Sequence, residues 1–208
     1  MPRGLDVLVA ATLLAACGAA PPASRVHHRG GERLLDLGEL ELVLDPTTDE
    51  RFVRAVDRQG DHVLAFAEKD AEGDWARVEV HRFAIDPASA RTIEVHPERL
   101  KGRYIPDRPT RTASAAGTRA WTTDTSLPHG IHEEDEPGGG RSMIEDLPRY
   151  QWFAALLTPR AVVVVIYIAD LARPGDRDLD PAEALRQGRA RHAARASGLL
   201  ERLRRRPR

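Results

Sequence analysis

The residues best suited to chemistry are two histidines and several carboxylates that fall within eight positions. His129 and His132 are separated by two residues, and Glu133 and three further carboxylates follow at once. Imidazole nitrogens and carboxylate oxygens are ligands that divalent metals such as zinc accept in proteins. Gly130 and a later Pro-Gly run favour an irregular acidic loop over about 127–140, and ordering such a loop costs roughly 1–2 kcal/mol per residue. We therefore expect a solvated insertion and no cofactor; the alternative is a metal site of His129, His132 and Glu133.

Known catalytic motifs are missing from the rest of the sequence. It contains no Gly-x-Ser-x-Gly turn and no His-Glu-x-x-His helix, and the glycine run at 138–140 lacks the Gly-Lys-Ser/Thr ending of a phosphate loop. We expect a protein that is not an enzyme. A metal-dependent hydrolase that uses the acidic loop is the alternative.

Cys17 is the one thiol of the chain, and it ends a short apolar run. The run from Leu5 to Ala16 follows Arg3 and has 12 residues. This length fits the apolar core of a secretory signal, whereas a membrane span needs roughly 20 residues. Small residues precede the cysteine, as they do at a signal cleavage site. We predict a signal peptide over 1–16, cleaved between Ala16 and Cys17.

The tetrapeptide Leu14-Ala15-Ala16-Cys17 resembles the lipobox of bacterial lipoproteins, in which the cysteine is acylated and becomes the first residue of the mature chain. The resemblance covers residues 1–17. It implies that Cys17 is the lipidation site and that its acyl chains hold the protein to a membrane of the bacterial cell envelope. Gly18 at the next position is similar to lipoproteins that are sent to the outer membrane, facing the periplasm.

Charge is balanced over the whole chain but not along it. The formal net charge at pH 7 is −1, yet between Arg186 and Arg208 nine arginines accompany a single glutamate. We expect a solvated helix face with a frayed basic end. The alternative is an adaptor that contacts anionic envelope polymers, with these candidate residues: Arg202, Arg204, Arg205 and Arg206. The aromatic residues that would stack on bases are missing among these arginines, so nucleic acid is not an expected partner.

The first half of the chain reads as a tether followed by strands. Residues 17–33 are rich in Pro, Gly and small residues and predict a flexible tether before a single domain over 34–208. We expect a strand at 40–44, a short helix over 50–56 and a hairpin from 62–67 and 75–83. Phe83 and Ile85 are at odd positions, so in a regular strand they would point to the opposite face from Val78 and Val80. We favour a bulge in this strand; the alternative is that both faces of the strand are partly covered near its end. Residues 102–116 predict a loop before a strand at 117–123.

The second half holds the most apolar segments. Residues 149–157 and 161–169 predict a central hairpin, and the unbroken apolar run of the second segment implies cover on both faces of its sheet. Asp180-Pro181 predicts the start of a long amphipathic helix over about 181–205, with His192 as a packed residue on its apolar stripe. The predicted fold class is α+β: an antiparallel sheet covered by a C-terminal amphipathic helix, and an α/β/α sandwich is one version of it.

The order of these elements over 34–204 is similar to the PsbP/Mog1-like α/β sandwich that recurs in bacterial lipoproteins. The likeness lies in residues 117–121, residues 152–168 and the last helix, and it implies a binding or accessory role. The sequence therefore predicts a membrane-anchored envelope lipoprotein without catalytic activity, whose partner is an envelope protein or an anionic polymer.

Overall fold

The computed structural model describes residues 26–58, 61–69, 73–127, 130–135, 141–146, 148–171 and 180–207. The predicted signal peptide, Cys17 and His129 lie outside these residues. In chain order the elements are β1 (Val26–Arg29), β2 (Glu32–Asp36), β3 (Leu40–Val43), β4 (Asp49–Arg58), β5 (Asp61–Lys69), β6 (Trp75–Ala84), α1 (Pro87–Val95), a 3₁₀ turn (Pro97–Leu100), β7 (Arg111–Ala115), β8 (Thr118–Leu127), β9 (Gly130–Asp135), β10 (Arg141–Asp146), β11 (Arg149–Thr158), β12 (Ala161–Asp170), α2 (Pro181–Glu201) and β13 (Leu203–Arg205).

A seven-stranded antiparallel sheet is the centre of the fold. Its strand order is β4-β5-β6-β12-β11-β8-β7, so the valine-rich β12 lies in the middle. Val163 and Val165 belong to the core on one face, and Val162 and Val164 belong to the core on the other. The prediction of a central hairpin covered on both sides is confirmed, because β11 and β12 pair along their full length.

One face of this sheet is covered by α2 and by a second, four-stranded sheet of order β1-β2-β3-β13. Leucines of β2 and β3 pack with Val78 and Val80 of β6 and with Ala196 and Leu199 of α2 in one continuous core. α2 begins where predicted, since the Asp180 carboxylate accepts hydrogen bonds from the backbone N–H groups of Ala182 (3.1 Å) and Glu183 (3.2 Å).

The opposite face is covered by α1 and the segment that follows it. Ile93 of α1, Leu100 and Ile105 pack on Trp121 and Val164 of the sheet. The sequence reading did not predict α1. The sheet therefore carries a helix on each face, and the predicted α+β class is confirmed.

The predicted tether ends earlier than expected. Residues 26–29 and 32–36 form the hairpin β1–β2, in which Val26 is paired with Leu35. Gly30 and Gly31 make its two-residue turn with φ of +59° and +83°, angles that favour glycine. Residues 26–33 thus belong to the folded body, and the boundary predicted at 34 was wrong.

Two predictions about the following strands were wrong. Residues 50–56 do not form a helix, because they lie in β4, which pairs with β5 at Asp49 and again from Arg54 onward, with a register shift between the two. Neighbouring β6 pairs with β12 without a register shift, so it contains no bulge. Phe83 and Ile85 instead pack on the α1 side of the sheet, which is the alternative of cover on both faces.

Three further segments differ from the sequence prediction. Residues 111–115 of the expected 102–116 loop form β7, which pairs with β8. Residues 130–135 of the expected acidic loop form β9, paired with β10. The predicted helix over 181–205 stops at Glu201, because residues 203–205 pair with β3 and bury Leu203 in the core.

Candidate functional site

Two of the three candidate ligands of the alternative metal site, His132 and Glu133, lie in the part of the chain that the structure describes. His132 and Glu133 are consecutive residues of β9, paired with Ile144 and Met143 of β10. His129 is not among the described residues. Across the described ranges, no group of three or more His, Cys, Asp or Glu side chains is placed to hold a metal ion.

The arginines near the C-terminus are bound to the domain itself. Arg202 Nη2 lies 2.7 Å from Glu68 Oε1, and Arg204 makes two hydrogen bonds to Glu32, of 2.6 and 2.9 Å. Arg206 Nη1 lies 2.8 Å from Asp36 Oδ2. These ion pairs join β13 and the chain around it to distant segments, so the predicted frayed basic end was wrong.

Arg205 differs from its neighbours because its partners are uncharged. Its Nε donates to the carbonyl of Ala116 (3.0 Å) and its Nη2 to the carbonyl of Gly117 (3.2 Å). Both residues form the turn between β7 and β8, and Ala116 has a positive φ of 53°, which residues other than glycine rarely adopt. The two carbonyl bonds fix the guanidinium without neutralising its charge.

A groove of about 450 Å³ lies beside this turn, between α1 and the end of the seven-stranded sheet. α1 supplies Arg91 and Glu94, β8 supplies Arg119, and Arg205 completes the charged lining. Trp121 and Leu157 contribute apolar surface. The groove thus combines apolar contacts with three guanidinium groups and one carboxylate.

Two of these arginines keep their charges available. Arg91 and Arg119 are exposed, and neither forms an ion pair or side-chain hydrogen bond with any residue that the structure describes. Trp121 is 4% exposed, so its indole lies in the floor of the groove and its ring faces are covered by the protein. The charged lining has an excess of positive charge and is suited to an anion.

A second groove of about 330 Å³ adjoins the first. Both are lined by Thr118, Thr158, Pro159 and Arg205, so Arg205 lies where they meet. Glu39 and Arg206 line the far part of the second groove, and Arg206 is already paired with Asp36. The available positive charge is therefore concentrated in the first groove and at the junction.

His192 is the packed residue that the sequence predicted, with 1% exposure. Its Nε2 lies 2.9 Å from the Asp170 carbonyl, and its Nδ1 lies 2.9 Å from the Tyr167 hydroxyl. A carbonyl only accepts, so we assign the ring proton to Nε2, and Nδ1 accepts from the hydroxyl. This arrangement links α2 to the centre of the sheet.

A second buried phenol lies beside this pair. The Tyr150 ring stacks on His192 with centroids 6.4 Å apart, and its hydroxyl donates to Asp124 Oδ2 at 3.2 Å. Burial, and then the charge of Asp124, raise the pKa of Tyr150, so the phenol stays protonated as a donor. Arg189 of α2 reaches the same carboxylate at 3.1 Å. These contacts position α2 and leave His192 without access to solvent.

Comparison with known proteins adds little information about this groove. The chain matches no protein-family model and no curated protein. It is similar to a crystal structure from Bacteroides thetaiotaomicron at 8% sequence identity and a TM-score of 0.41. The match covers 81% of this chain and 46% of the other, so the chain spans less than half the length of that protein.

Within the described ranges, no helix combines the length and the apolar character that a membrane span requires.

Proposed function

We propose that this protein is a lipid-anchored lipoprotein of the bacterial cell envelope whose folded body has a binding or accessory role. The observation that carries the proposal is the tetrapeptide Leu14-Ala15-Ala16-Cys17 at the end of a 12-residue apolar run. One acyl chain holds a protein only marginally to a bilayer, whereas two or more acyl chains hold it stably. Acylation at Cys17 therefore supplies the anchor.

The short distance in sequence between Cys17 and β1 supports a position of the folded domain close to the membrane. Eight residues, 18–25, separate Cys17 from Val26, the first residue of β1. A chain of that length reaches roughly 30 Å at most when fully extended. The domain then stays within about its own diameter of the bilayer surface, where it meets membrane-bound partners at high local concentration.

The surface of the body supports the binding role. Most of the C-terminal arginines are paired within the domain, whereas the groove between α1 and the sheet keeps three guanidinium groups that have no carboxylate partner among the described residues. A groove with apolar contacts and a few converging charges is the usual form of a recognition site.

Membrane fractionation with metabolic acyl labelling tests the anchor. We expect the unaltered protein, expressed in a bacterial host, in the membrane fraction with the fatty-acid label. Cys17→Ser should lose the label and leave that fraction. The matched control is Cys17→Ser combined with Ser24→Cys, which keeps one thiol but moves it out of the tetrapeptide.

The control separates lipidation at the tetrapeptide from other reactions of a thiol. It should behave like Cys17→Ser, unlabelled and released. The proposal is overturned if Cys17→Ser stays in the membrane fraction to the same extent as the unaltered protein, or if the relocated cysteine carries the label.

A further inference from the structure

We infer that the groove between α1 and the sheet, together with the smaller groove that adjoins it, binds an extended acidic peptide segment of a partner protein. The inference names a partner class for the binding role proposed above and rests on that role. It does not require the lipid anchor, so the two can fail separately.

Charge is the first argument. Arg202, Arg204 and Arg206 are matched to Glu68, Glu32 and Asp36. In the two grooves, by contrast, Arg91, Arg119 and Arg205 share the lining with Glu94 and Glu39, yet none of the three forms an ion pair with a described residue. Carboxylates of a ligand would give these arginines the partners that Arg202, Arg204 and Arg206 already have.

Fixed geometry is the second argument. Arg205 is held by two carbonyl bonds to the Ala116-Gly117 turn, while its Nη1 makes no hydrogen bond with any residue that the structure describes. The side chain is therefore already ordered and has donor capacity left. An ordered donor loses less conformational entropy when a carboxylate binds.

Shape and surface chemistry favour a peptide. The two grooves share lining residues around Arg205, so a chain in extended conformation that occupies one groove can continue into the other. Ala90, Leu157 and Pro159 give it apolar contacts that apolar side chains can cover. Residues of a peptide alternate in direction when extended, so one chain presents apolar and acidic groups together.

The same features count against the other polyanions of the cell. A nucleic-acid strand is held largely by stacking on exposed aromatic rings, and the ring faces of Trp121 are covered. An anionic polysaccharide carries charge but has no side chains that would cover the apolar contacts.

The test is a selection from two peptide pools on the immobilised full-length protein in detergent. The first pool contains ten-residue peptides with Glu, Asp, Val, Leu, Ser or Gly at each position. The second replaces Glu and Asp with Gln and Asn. We expect enrichment from the acidic pool alone, and an affinity of the enriched peptides that falls as salt is raised.

Variants locate the binding. The double variant Arg91→Ala/Arg119→Ala should weaken the enriched peptides about fivefold for each arginine, so about 25-fold in all, as expected for two exposed ion pairs that act independently. The matched control is Arg99→Ala/Arg108→Ala, which removes two exposed arginines that line neither groove. The control should bind the peptides as the unaltered protein does.

Folding is checked before binding is compared. Arg91 and Arg119 have no ion pair to lose within the described ranges, so both double variants should melt within about 2 °C of the unaltered protein. Arg119→Glu is the second probe, because it reverses one charge and should weaken binding further than Arg119→Ala.

Three results would overturn the inference. One is that neither pool, or both pools equally, is enriched. Another is that the control pair weakens binding as much as the groove pair does. The last is that polygalacturonate, an anionic polysaccharide, binds through Arg91 and Arg119 while the acidic peptides do not.

Discussion

Replacing Gly188 with alanine tests how closely α2 lies on the seven-stranded sheet. A Cβ atom added at Gly188 would lie 2.1 Å from the Leu171 carbonyl oxygen, whereas ordinary contact begins at about 3.4 Å. The helix or the Leu171 backbone must therefore move by about 1.3 Å. His192, four residues further along α2, bonds to the Asp170 carbonyl next to Leu171, so the same movement strains that hydrogen bond.

Two opposing contributions set the size of the effect. Forcing an extra methyl into a packed interface costs about 1–3 kcal/mol, and a clash with backbone belongs at the upper end. Alanine stabilises a helix interior by about 1 kcal/mol relative to glycine. We expect Gly188→Ala to lower the free energy of unfolding by about 2 kcal/mol.

Gly198 is the matched control in the same helix. A Cβ atom at this position would meet nothing within 4 Å. Gly198→Ala should therefore raise the free energy of unfolding by about 0.5–1 kcal/mol. Urea denaturation of the three proteins measures both values. The described packing of α2 is refuted if Gly188→Ala is as stable as Gly198→Ala, or more stable than the unaltered protein.

Two further predictions concern the buried His192 pair and the cap of α1. Tyr167→Phe removes the hydroxyl that donates to His192 Nδ1, and losing this buried hydrogen bond should cost about 0.5–1.5 kcal/mol in urea denaturation. Tyr104→Phe, whose hydroxyl has no hydrogen bond with any described residue, should change stability by less than about 0.5 kcal/mol; equal costs would contradict the assignment. Hydrogen bonds from the Ser89 hydroxyl and N–H hold the pKa of Asp86 below its ordinary value. The ionised cap therefore stabilises the fold above that ordinary value and is lost as pH falls through the lowered one. Asp86→Ala should lower the melting temperature at neutral pH, with a difference that shrinks in acid; a difference independent of pH would contradict this.

Local patterns predicted the central parts of the fold. The valine-rich run of β12 and the Asp180-Pro181 start of α2 are both confirmed, because each depends on nearby residues alone. Two missed elements also carry local signals. Asp86-Pro87 repeats the Asp-Pro start at α1, and Gly30-Gly31 is a two-residue hairpin turn.

Other elements depend on partners that are distant in the sequence. Residues 203–205 continue a helix-favouring run of leucine and arginine, and pairing with β3, about 160 residues earlier, makes them a strand. The spacing of Phe52, Val53 and Val56 is compatible with a helix and with a strand. The pairing of β4 with β5 decides between the two. No pattern within either segment contains that information.

The groove could not be predicted for the same reason. Arg91, Arg119 and Arg205 lie far apart in the chain, and only the packing of α1 and β13 around the end of the sheet brings them together. The sequence did single out Arg205 within the basic C-terminal run, along with three neighbours. The structure separates it from those neighbours, because they have carboxylate partners, whereas Arg205 has none among the residues with described positions.

The state of Cys17 is the central claim, and mass spectrometry of the membrane-extracted protein measures it directly. Trypsin cleaves after Arg3 and after Arg25, so the peptide that contains Cys17 reports both cleavage and acylation. We predict a peptide Cys17–Arg25 that begins at the cysteine and carries a diacylglyceryl group on its sulfur. A peptide that runs from Gly4 to Arg25 with an unmodified thiol would contradict the account.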